Sequence, residues 1–103
     1  MRENGKRMTL HELRTVRREA ILLAAARRGA NNVRVFGSVA PGQSDDRSDV
    51  DFLVDLAPGR SLLDLGALQR ELEAILSSKV DVVSSRGLRE RVKERVLRDA
   101  VPL

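Results

Sequence analysis

Three aspartates and one Gly-Ser pair are the residues of this chain whose types and spacing could do chemistry. They gather around the run Val33 to Asp55, VRVFGSVAPGQSDDRSDVDFLVD, in which an apolar strand breaks at Gly37-Ser38 and a second strand opens Asp49-Val50-Asp51. Side chains alternate along a strand, so Asp49 and Asp51 project on one face while Val50, Phe52 and Val54 project on the other. Two carboxylates that close raise one another's pKa unless a cation lies between them. Oxygen ligands alone favour a hard ion such as Mg²⁺, which keeps several waters and completes its octahedron with phosphate oxygens. Gly37-Ser38 supplies the matching half: a glycine that lets backbone N–H groups approach a phosphate, and a hydroxyl that can donate to it. A third acid, Asp81, sits near the start of another short apolar strand, Val80-Asp81-Val82-Val83. Taken singly, a Gly-Ser is an ordinary turn and an Asp-x-Asp an ordinary solvated strand face. The combination points to a metal and phosphate site.

Gly37-Ser38, ten intervening residues, Asp49-Val50-Asp51 and the later Asp81 resemble the signature of the nucleotidyltransferase superfamily that includes DNA polymerase β. The short chain is similar, within it, to the MNT-type minimal nucleotidyltransferases, antitoxins that act beside HEPN-domain toxins. The resemblance runs from about Val33 to Ser84 and more loosely to the C-terminus. It implies ATP as substrate and a two-metal Mg²⁺ site held by Asp49, Asp51 and Asp81, with Gly37 and Ser38 on the departing phosphates. It further implies transfer of AMP to a hydroxyl, a tyrosine's, on a partner HEPN ribonuclease toxin, in a hetero-oligomer. One position departs from the family pattern. Where a basic residue often separates the alanine and glycine after Gly-Ser, this chain has Ala40-Pro41-Gly42, and proline supplies neither a cation nor an N–H. Pro41 favours the alternative, a catalytically weak or inactive protein of this fold that silences a toxin by contact alone.

The elements that must position these residues are legible around them. Thr9 and Glu12 have capping-box spacing, and Leu10, Leu13, Val16, Ala20 and Ala24 recur at helical intervals, so a first helix is expected from Thr9 to Arg28, stopped by Gly29. Its stretch Ala20 to Ala26 is apolar all round, which predicts burial on more than one side or a face for a partner. Asn31-Asn32 is expected to turn into a strand at Val33 to Phe36. The second strand should run from Val50 to Leu56 and end at Pro58-Gly59. Ser61 and Asp64 cap a helix of about fifteen residues striped by Leu62, Leu65, Leu68, Leu72 and Leu76. A strand, a helix and a strand in succession predict a right-handed crossover with Asp81 beside the second strand in a parallel pair. A last helix, Leu88 to Ala100, carries a four-residue apolar stripe and an excess of arginine. The fold class is therefore α/β (α+β): a small mixed β-sheet flanked by helices, the nucleotidyltransferase fold. Residues 1–8 read as a disordered N-terminus and 9–103 as a single domain.

Composition bounds the rest. A chain of 103 residues, 42 % hydrophobic and 33 % charged, has room for one core and not two. With two phenylalanines and neither tryptophan nor tyrosine, that core must be aliphatic, and single-stranded nucleic acid has no stacking platform. The absence of cysteine excludes disulfides and thiolate metal sites. One histidine, His11, cannot make a His-rich zinc site and reads as a surface residue. No run is long and apolar enough to span a membrane and no secretory leader opens the chain, which fits a cytoplasmic protein. The net charge of +4 suits a nucleotide or an acidic partner without choosing between them.

Overall fold

The computed structural model describes residues 9–36, 50–87 and 90–103. The expectations for residues 1–8, and those for Gly37, Ser38, Pro41 and Asp49, lie outside the described residues. The described residues form, in order, α1 (Leu10–Thr15), α2 (Arg18–Arg27), β1 (Ala30–Phe36), β2 (Val50–Leu56), α3 (Leu62–Leu76), β3 (Val80–Ser84), a 3-10 turn (Ser85–Gly87), α4 (Glu90–Asp99) and β4 (Val101–Pro102). The strands form one mixed sheet in the order β3-β2-β1-β4. β1 runs antiparallel to both β2 and β4, while β3 runs parallel to β2 after the α3 crossover.

One face of the sheet carries the core. Val33 and Val35, then Val50, Phe52 and Val54, then Val80 and Val82 meet Leu13, Ile21, Ala24 and Ala25 of the first two helices and Leu65, Leu68, Leu72 and Leu76 of α3. The alternation of strands and the leucine stripe of α3 thus close on each other as their periods require. α3 begins on the expected capping box. The Ser61 hydroxyl accepts from the Leu63 N–H at 3.2 Å, and Asp64 accepts from the Ser61 N–H at 3.1 Å. Glu71, on the flank of α3, accepts from Arg28 Nη2 at 2.6 Å and Arg27 Nη2 at 3.2 Å, which ties α3 to the end of α2.

The expected first helix is two. Thr15 Oγ1 donates to the His11 carbonyl at 2.8 Å, a back-bond of the kind that bends helices. Thr15 and Val16 are also β-branched and weak helix formers. The helix is interrupted at Val16 and Arg17 before α2 begins; Val16 and Ala20 are exposed, whereas Ile21, Ala24 and Ala25 are buried. The all-apolar stretch is accordingly not buried all round, since Ala20, Leu23 and Ala26 are exposed. β1 also starts earlier than expected. Gly29, at φ +72°, makes the turn; Asn32, at φ +51°, stands within the strand, where the β1–β2 register shifts between Asn31 and Arg34. Asparagine tolerates that left-handed conformation better than most residues, so Asn31 and Asn32 extend the strand through a bulge.

Both sheet edges are guarded. On β3, the N–H groups of Val80 and Val82 donate to Glu73 Oε2 at 3.2 Å and Gln69 Oε1 at 3.3 Å. The opposite edge, β4, is two residues long and ends in Pro102, a residue that cannot extend a ladder. Among the described residues no helix is long and apolar enough to cross a membrane.

Leu72 is 1 % exposed at the centre of the α3 stripe. Leu72→Ala should therefore lower stability by about 2–5 kcal/mol. A fall in the urea midpoint with little change in slope is the expected result.

Candidate active site

The other face of the sheet is polar where the core face is apolar. β1 contributes Arg34 and Phe36 to it, β2 contributes Asp51, Leu53 and Asp55, and β3 contributes Asp81 and Val83, as alternation from the core positions requires. Register then fixes who meets whom. Phe36 stands opposite Asp51 across the antiparallel pair, and Asp51 is the register partner of Asp81 across the parallel pair. The two carboxylates therefore occupy adjacent strands, on one face, at one level.

Asp51 is buried, at 4 % exposure, whereas Asp81 is exposed. A site with one sheltered and one open carboxylate can hold an ion against the protein while leaving a side for substrate. Both donors are hard oxygens, the set that suits Mg²⁺. The residues present fit such an ion. Among the described residues no group of three His, Cys, Asp or Glu has a metal-holding arrangement. Asp49 directly precedes β2, and Gly37-Ser38 directly follow β1. They lie outside the described residues.

A second polar group on this face was not singled out from sequence. Asp55 accepts from Ser85 Oγ at 2.6 Å, from Arg34 Nη2 at 2.7 Å and from Asn32 Nδ2 at 2.9 Å. Burial works to raise its pKa, but the hydrogen bonds from Ser85 and Asn32, and then the charge of Arg34, outweigh it and hold the carboxyl below its ordinary value. The signal that could have found Asp55 is simple. It lies four positions after Asp51 in the same strand, and hence on the same face.

Comparison with known proteins gives the family of the chain. The family model described as polymerase beta, nucleotidyltransferase, matches residues 21–103. The protein adenylyltransferase MntA of Thermococcus cleftensis is 35 % identical over 94 residues, covering 91 % of this chain and 95 % of that one. A solved structure of a minimal nucleotidyltransferase is 52 % identical and superposes with a TM-score of 0.78 over 96 % of this chain and all of its own. A crystal structure of a toxin-antitoxin with AMP-PNP shares the fold, with a TM-score of 0.67 at 22 % identity, over 82 % of this chain and 69 % of its own.

The lowered pKa of Asp55 has a consequence for stability. Its ionised form is favoured in the folded state, so the stability it adds is complete above the unfolded carboxylate value, about 3.9, and is lost as pH falls through the lower folded value. Thermal melts should show wild type above Asp55→Asn at neutral pH, with the gap closing on acidification. A gap that stays constant down to about pH 2 would contradict this assignment.

Proposed function

Because the chain belongs to the polymerase β nucleotidyltransferase family, and is an enzyme of that kind, we propose that it moves AMP from ATP to a hydroxyl of a partner toxin and so acts as an antitoxin. The partner is a HEPN-type ribonuclease and the acceptor a tyrosine. Residues 9–103 work as one catalytic domain in the cytoplasm. The observation that carries the reading is the in-register pair Asp51 and Asp81 on one face of adjacent strands. The name of the Thermococcus relative, a protein adenylyltransferase, supports the acceptor class, and a shared fold with a toxin-antitoxin structure holding AMP-PNP supports the setting.

In this reading Asp49, Asp51 and Asp81 hold Mg²⁺, in a two-metal arrangement. Bound there, Mg²⁺ neutralises triphosphate charge and lowers the pKa of the acceptor hydroxyl. Gly37 and Ser38 hold the β- and γ-phosphates through backbone N–H groups and a hydroxyl. The acceptor oxygen attacks the α-phosphorus, its new O–P bond forming as the bond to pyrophosphate breaks. Asp81, open to solvent, faces the acceptor side, whereas buried Asp51 anchors the nucleotide side. Since this chain contains no tyrosine, a phenolic acceptor must be presented in trans. An AMP group on the toxin adds an anion where RNA phosphates would bind, and repulsion together with bulk blocks the ribonuclease.

The test is mass spectrometry of this chain incubated with ATP, Mg²⁺ and the toxin encoded beside it. An AMP-sized increment on a toxin tyrosine is expected, and Asp51→Asn should reduce its rate by about a hundredfold or more, since a metal supplies several kcal/mol. An unmodified toxin silenced equally well by the Asp51→Asn protein would overturn the enzymatic reading in favour of contact alone.

The two acids should also differ. Asp81→Asn is expected to leave most of the ATP affinity and to slow the transfer step, as when an interaction is made chiefly in the transition state. Equal loss of ATP affinity in Asp51→Asn and Asp81→Asn, with no further slowing of the bound reaction, would refute that division of roles.

A further inference from the structure

Arg34 stands opposite Leu53 across the β1–β2 pair. Its diagonal neighbours on the same face of β2 are consequently two carboxylates, Asp51 toward one end and Asp55 toward the other. Diagonal positions across an antiparallel pair lie about 7–8 Å apart, within reach of a long side chain. The cation could be drawn either way.

The structure draws it to Asp55. Arg34 Nη2 donates to Asp55 Oδ1 at 2.7 Å, and Nε donates to the Asn32 carbonyl at 3.0 Å. The arginine side chain is only 13 % exposed. Asp55 is itself fixed by Ser85 on Oδ1 and by the Asn32 amide on Oδ2. Asn32 can aim that amide because its backbone takes φ +51° in the irregular part of β1. Three segments, β1, β2 and the turn after β3, therefore converge on one carboxylate whose effect is to choose where a guanidinium lies.

The choice bears on the site. A guanidinium on Asp51 would occupy its oxygens with a fork of donors and supply the positive charge that otherwise draws a metal. We propose that Asp55 is a positioning residue: by holding Arg34, it keeps that guanidinium from competing with a divalent ion for the Asp51–Asp81 pair. Arg34 is scarcely exposed, and Asp51 lies diagonal to it in register, so losing the Asp55 tie lets the guanidinium compete at that carboxylate. This rests on the metal role of Asp51 and Asp81 proposed above.

The test is a double-mutant cycle read by Mn²⁺ affinity, measured by electron paramagnetic resonance titration of the full chain without nucleotide. Asp55→Asn, which keeps the shape of the side chain, should weaken Mn²⁺ binding about fivefold or more, whereas in an Arg34→Gln background the same change should have almost no effect. Equal weakening in both backgrounds would overturn the proposal, because it would reduce Asp55 to a through-space charge. Unchanged affinity in the single variant would overturn it too. Should Asp55→Asn fail to fold, the pair Asn32→Gly and Ser85→Ala removes two of the ties and is expected to weaken Mn²⁺ in the same direction; no weakening refutes the proposal. Wild-type protein that binds no Mn²⁺ would instead remove the metal reading on which the inference stands.

Discussion

Two strands that each open Val-Asp, paired parallel and in register, are the constraint on which the rest of this molecule depends. Val50 meets Val80 and Asp51 meets Asp81, so position two of one strand lies beside position two of the other. An antiparallel neighbour would have sent Asp81 to the far end of β2. Only a parallel pair brings the N-terminal ends of both strands together, and a parallel pair needs a long crossover. α3 is that crossover, and its leucine stripe, capping box and length follow from the need to span the sheet and cover one face of it. Placing two carboxylates side by side is unfavourable for the protein alone. In the proposed reading a bound cation offsets that cost.

The two faces of the sheet divide the work. Aliphatic residues, with Phe52 the one aromatic among them, fill one face against α1 to α3 and supply the stability. The other face is charged, yet not open throughout: Leu53 is fully buried although it lies outside the main core cluster. Asp51, two positions from Leu53 on the same face, is itself 4 % exposed, and low exposure strengthens the electrostatics of a carboxylate. Because Gln69 and Glu73 cap the outward N–H groups of β3 and Pro102 ends β4, strand addition is a poor route for a partner. Faces and helices remain for docking.

Charge on this scaffold is placed to fix angles as much as to bind. Glu71 joins α3 to the end of α2 through Arg27 and Arg28, and Asp55 joins β1, β2 and the turn after β3 through Asn32, Arg34 and Ser85. Both carboxyls are held in their ionised state by these donors. The same arrangement that ties elements together also settles the Arg34 guanidinium on Asp55.

What the sequence determined by itself was whatever a local signal specifies. The Ser61 and Asp64 capping box set the start of α3, and Leu65, Leu68, Leu72 and Leu76 set its buried face, although Leu62, expected in the same stripe, is exposed in the first turn; alternation from Val50 to Leu56 set both the extent of β2 and the side on which Asp51 projects. The parallel neighbour of β2 was also legible, since a strand, helix and strand leave few topologies open. Of the candidate site, this reached Asp51 and Asp81 as partners. Tertiary structure decided what depends on bonds between distant or irregular segments. A back-bond from Thr15 divides the first helix, an asparagine in the left-handed region carries β1 back to Ala30, and a two-residue β4 exists only because β1 offers an edge to pair with. The Asp55 cluster is of the same kind. Ser85 lies thirty positions from the carboxylate it binds, and the diagonal that puts Arg34 between Asp51 and Asp55 is a property of register, which no single segment contains.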